Sequence, residues 1–119
     1  MKDISKELEY RGKTYKMVFN LNVMELIQDH FGSVDAWAEA MSQEDGKEPR
    51  AKDIIYGFWA MLNEGIDIAN EDKPKDEQIA PLTLKQVGRI LTEVGITGAA
   101  EQMKSLVVDS TKGDDSKNA

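Results

Sequence analysis

The sequence predicts an α+β, mainly α fold: an N-terminal β-hairpin followed by about five helices in a small bundle. Three observations predict it. From Leu8 to Phe19 apolar and polar residues alternate on either side of Arg11-Gly12-Lys13-Thr14, as half-buried antiparallel strands require. From Asn20 onward the period changes, and Val23, Leu26, Ile27 and Phe31 take the spacing of one helical face. Downstream, capping residues and glycines divide the chain into helical lengths.

The hairpin is expected over residues 5–19. A first helix, about 21–31, takes Asn20 or Asn22 as its N-cap, because either side chain can accept from unpaired first-turn amides, and Gly32 supplies a left-handed C-terminal stop. Ser33 caps again at once, and a short second helix, about 34–42, carries Asp35 in its first turn and Val34, Trp37 and Met41 on one side. The polar stretch from Ser42 to Pro49 reads as a solvent loop. A third, central helix is expected over 50–64, where Ile54, Ile55, Phe58, Trp59, Met61 and Leu62 form an apolar arc wider than one stripe. Gly57 inside it costs about 1 kcal/mol against alanine and so implies a close helix approach, while Gly65 is read as its stop. Asn70 to Gln78, uniformly polar around Pro74, reads as a mobile surface loop. Thr83 with Gln86 makes a capping box for a fourth helix over 84–94, with Leu84, Val87, Leu91 and Val94 on one face and Gly95 closing it. A fifth helix over 98–108 turns Ala99, Met103, Leu106 and Val107 inward. Residues 1–109 thus form a single globular domain, and 110–119 a disordered polar tail.

With 119 residues, a chain can bury roughly 65% of its unfolded surface in one modest core. Its formal net charge of −7 disfavours nucleic acid as a partner, since neutralising phosphates needs runs of Lys and Arg that the chain lacks. There is no cysteine, which excludes disulfides, thiolate nucleophiles and thiolate metal sites. No export signal precedes the hairpin, and the longest apolar run, Phe58 to Leu62, is too short for a membrane span. His30 is the single histidine, placed in a last helical turn where it favours the helix dipole. The acidic groups Glu44-Asp45, Asp67, Glu71-Asp72 and Asp76-Glu77 lack calcium-loop spacing. No glycine-rich phosphate loop is present. No catalytic set, metal site or cofactor site is therefore predicted, and the chain does not read as an enzyme.

A binding role fits better. Trp37, Phe58 and Trp59, with Met24, Met41, Met61 and Met103, suit either a core or an adaptable interface. The third helix has more apolar circumference than a small monomer needs, which makes Ile55, Tyr56 and Trp59, with Trp37, the candidate protein-contact residues. The hairpin's edge strand is a second candidate, because unpaired backbone groups there can recruit another chain.

The order of motifs carries a resemblance. Tyr10-Arg11-Gly12-Lys13-Thr14-Tyr15, then Val18-Phe19-Asn20 leading to Met24-Glu25-Leu26, then Phe31-Gly32-Ser33, Asp53-Ile54-Ile55-Tyr56-Gly57-Phe58-Trp59-Ala60-Met61-Leu62, and Thr83-Leu84-Lys85-Gln86-Val87 follow one another. Over residues 7–108 this resembles the small tail assembly chaperones of long-tailed bacteriophages and prophages, gene-transfer-agent tail proteins included. The resemblance implies a non-enzymatic factor of virion morphogenesis in the host bacterial cytoplasm. It would bind the tape measure protein, keep it soluble, help recruit tail tube protein, and form a homo-oligomer. A structural, tube-associated tail component and a small regulatory protein-binding module are the alternative readings.

Overall fold

The computed structural model describes residues 5–41 and 50–112, with side chains described as far as Ser110. Strands β1 (Ser5–Tyr10) and β2 (Lys13–Val18) form a two-stranded antiparallel sheet in which Leu8 faces Tyr15 and Tyr10 faces Lys13. That register leaves a two-residue turn, Arg11-Gly12, with φ of 50° and 79°. Two successive positive φ values give the turn whose twist matches that of the flanking strands. Glycine adopts this conformation freely, whereas Arg11 does so at a conformational cost.

Five helices follow: α1 (Leu21–Phe31), α2 (Val34–Ala40), α3 (Ala51–Asn70), α4 (Leu84–Val94) and α5 (Ile96–Lys112). The expected caps are present. Asn20 accepts from the Val23 amide at 3.2 Å, and Ser33 Oγ from Ala36 at 2.9 Å. Thr83 and Gln86 form the reciprocal box, at 3.1 and 2.8 Å. Gly32 and Gly95 stop α1 and α4 with positive φ.

The main departure is α3, which continues through Gly65 to Asn70. Gly65 is a contact, not a stop: it is buried, and a Cβ built there would fall on the backbone carbonyl oxygen of Lys16 in β2. Gly57 makes the second close approach, with a Cβ position 3.0 Å from Cζ2 of Trp37, so the expected close helix approach is present between α2 and α3. Asn70 then donates from Nδ2 to the Ile79 carbonyl and accepts from the Ile79 amide, both at 2.9 Å. Gln78 donates back to the carbonyls of Asn70 and Lys73. The polar stretch after α3 is therefore folded over the helix end, with a 3-10 turn at Lys75–Glu77.

The helix expected over 98–108 also runs longer. It begins at Ile96, directly after Gly95, and extends to Lys112, into the part expected as tail. The solvent loop expected over residues 42–49, the tail residues 113–119 and the end of the helix expected to 42 lie outside the described residues.

The core forms around α3. Met17, Phe19, Val23, Ile27, Phe58, Met61, Leu62, Val87, Ile90, Met103 and Leu106 are buried together, and no polar or charged residue is buried among the described ones. The face of α4 that enters is Val87, Ile90 and Leu91; Leu84 and Val94, expected inward, are exposed. α3 packs along β2, while α4 and α5 meet β1. Most of the methionine and aromatic group serves this core.

A basic, apolar-floored groove as the candidate functional site

Residues Lys52, Ile55 and Tyr56 recur at i, i+3 and i+4 and so share one stripe of α3. Leu84, Lys85, Gly88, Arg89 and Thr92 make the matching stripe of α4. The two helices run antiparallel. Trp59 Nε1 and Asn63 Nδ2 both donate to the Leu82 carbonyl just before α4, at 3.1 and 3.0 Å, whereas Gly88, a turn and a half further along, sits against Ile55 Cδ1. Asn63 Oδ1 also accepts from the Leu82 amide at 2.8 Å, so one side chain fixes where α4 starts.

Between these stripes lies an open groove of about 960 Å³, closed at its sides by Tyr10 and Arg11 of the hairpin tip and by His30 at the end of α1. Gly88 lets the floor sink, because an alanine methyl would stand over it in contact with Ile55. The wall by α1 is aromatic. The His30 and Tyr56 rings stack with centroids 3.9 Å apart and 13° from parallel, and Phe31 meets both edge-on. Tyr56 donates to the Leu26 carbonyl at 3.4 Å. Burial, and then the nearby Asp29 carboxylate, raise the Tyr56 phenol above its usual pKa, so it stays a neutral donor at physiological pH.

The rim is basic. Arg11, Lys52, Lys85 and Arg89 line the groove against one carboxylate, Glu93, which pairs with Arg11 at 3.5 Å. The Arg11 guanidinium also lies 5.2 Å from the Tyr10 ring centroid. Lys52, Lys85 and Arg89 have no carboxylate within ion-pair distance among the described residues. In a chain of net charge −7 this is a local reversal of sign. It was missed in the sequence because its members come from three distant segments. The available signal was the i, i+4 pair Lys85 and Arg89 together with Lys52 on the stripe of Ile55 and Tyr56.

The four candidate contact residues separate. Ile55 and Tyr56 line the groove and are half-buried. Trp59 is also half-buried, beside Tyr56 at 5.4 Å between centroids, but its indole N–H is committed to Leu82. Trp37 offers no surface: it is 3% exposed, parallel to Phe19, and its indole nitrogen is buried without a hydrogen-bond partner. The edge-strand candidate is narrowed by α3, which approaches β2 at Gly65 and Lys16.

Among the described residues no group of three or more His, Cys, Asp or Glu side chains could hold a metal ion. None of the described helices is long and apolar enough to cross a membrane. Comparison with protein families, with curated proteins and with solved structures returns no match.

Proposed function

We propose that this chain is a non-enzymatic tail assembly chaperone, which holds a segment of the tape measure protein in the groove between α3 and α4. In this reading it keeps that client soluble in the host bacterial cytoplasm and helps bring tail tube subunits to it. The observation that carries the reading is the groove itself: an apolar floor of Ile55, Tyr56 and Leu84, left uncovered and ringed by charge. A client helix or extended segment buries apolar side chains on such a floor, while the rim keeps the complex hydrated.

Co-expression with a tape measure protein tests the reading. The client should be soluble and co-purify with the wild-type chain, and should fall into the pellet when Ile55→Asp is combined with Leu84→Asp, two changes at partly exposed groove positions. A client that is equally insoluble with and without the chain would overturn the proposal. Recovery of the chain in finished particles would instead make it a structural tail component.

A further inference from the structure

The cations around the groove sit where local stability alone does not favour them. A helix N-terminus prefers carboxylates. Yet Lys85 occupies the second position of α4, whose first turn holds no acidic residue, and Lys52 occupies the second position of α3. Lys85 also stands four residues before Arg89, the spacing at which like charges on a helix repel. Arg11 takes a positive φ of 50° at a turn position that asparagine, aspartate or glycine fills more readily. Three segments thus carry cations at positions of local cost, and all of these cations line one groove.

The same rim surrounds an apolar centre. Leu84 is 49% exposed, Ile55 and Tyr56 are half-buried, and Gly88 keeps the floor low between Lys85 and Arg89. A small inorganic anion would meet the rim and leave that floor uncovered. A basic segment would cover the floor beside Lys52, Lys85 and Arg89, which have no carboxylate partner among the described residues. A segment that is apolar and acidic together satisfies both parts.

We infer that the segment held by the groove is acidic and amphipathic, with carboxylates beside the apolar side chains that enter the floor. This names the chemistry of the client and rests on the reading of the groove as a client site. Lys85 and Arg89 are about one helical turn apart, roughly 6 Å along the axis of α4. Two carboxylates at i and i+4 of a client helix laid along α4 repeat at the same distance and meet both. Lys52 supplies the cation on the α3 side, and Arg11, paired with Glu93 at 3.5 Å, supplies one at the hairpin tip. The preference is local. The overall field of a chain of net charge −7 attracts basic partners, so the sign of the selection separates the groove from the rest of the surface.

Two synthetic helical peptides with the same leucine face test it, one carrying glutamates and the other lysines at the positions that flank that face. Titrations are read at the backbone amide resonances of Gly88 and Thr92, which line the groove, so that binding elsewhere on the acidic surface does not count. At roughly 0.15 M salt, where the Debye length is about 8 Å, the glutamate peptide should bind at least about tenfold more tightly than the lysine peptide. Lys85→Glu with Arg89→Glu should reverse that order while keeping the wild-type circular dichroism, since both side chains are exposed. Equal binding of the two peptides, tighter binding of the lysine peptide, no binding of either, or a folded double variant that keeps the wild-type order would each overturn the inference. The two readings fail separately. A tape measure protein kept soluble equally well by the wild-type chain and by the double variant would overturn the acidic preference and leave the client reading standing.

Discussion

Gly65 of α3 stands against the backbone carbonyl of Lys16 in β2, closer than any residue with a Cβ could approach. The contact joins the hairpin to the central helix and fixes how deeply Met17 and Phe19 enter the core. Because the obstacle is backbone, it cannot rotate aside. Gly65→Ala should therefore lower stability: overpacking costs about 1–3 kcal/mol or more, against a helix-propensity gain of about 1 kcal/mol. Urea unfolding should show a lower midpoint at unchanged slope. A raised midpoint would mean that helix and strand sit further apart than described.

Gly88 is predicted to behave in the opposite way. Its Cβ position is 3.5 Å from Ile55 Cδ1, an ordinary contact, and its backbone is helical. Gly88→Ala should gain about 1 kcal/mol of stability while raising the groove floor. Thermal unfolding should shift upward by a few degrees, and any partner seated on Ile55 should bind less tightly. A loss of stability would show that α3 and α4 are already in full contact there.

The comparison between these glycines marks what the sequence could reveal. Local signals sufficed wherever the cause was local: the caps at Asn20, Ser33 and Thr83, the stops at Gly32 and Gly95, and the alternation that builds the hairpin all lie within a few residues of their effects. Gly65 resembles those stops in sequence, but its cause is a strand nearly fifty residues away, and a helix interior interrupted by glycine looks the same as a helix end. Leu84, Val87, Leu91 and Val94 share the spacing of one face, yet tertiary packing buried Val87 and Leu91 together with Ile90 and left Leu84 and Val94 exposed. The groove was half legible: Ile55 and Tyr56 stood out as surplus apolar surface, whereas its basic rim forms only when the hairpin tip, α3 and α4 come together.

Lys85 is predicted to be locally unfavourable. It sits in the first turn of α4 and faces the positive end of the dipole, with Arg89 one turn beyond. Lys85→Glu alone should stabilise the isolated chain by about 0.3–1 kcal/mol at low ionic strength, and a favourable pairing with Arg89 at i+4 adds a few tenths of a kcal/mol. Chemical denaturation without any partner should reveal the gain, and added salt should erase it. A destabilised variant would show that Lys85 already has a favourable role within the single chain.

Tyr56 supplies the pH dependence. Burial and the Asp29 carboxylate both disfavour its phenolate, so the folded chain holds the phenolic proton more tightly than the unfolded chain, whose value lies near 10.0. Below that value both states are protonated and the stabilising contribution is complete. As pH rises from there through the raised folded value, the unfolded chain deprotonates first, binds fewer protons, and gains on the folded one, so stability falls. Tyr56→Phe removes this proton. It also removes the hydrogen bond to the Leu26 carbonyl, which shifts the whole curve by a constant amount below the titration region. Urea midpoints measured from about pH 8 to about pH 11, around the ordinary tyrosine value, should run parallel for the two chains at first and converge as the wild type loses stability more steeply. Curves that stay parallel to the alkaline end would mean that the Tyr56 phenol is as well solvated as in the unfolded chain, and that the aromatic wall of the groove is more open than His30 and Phe31 make it.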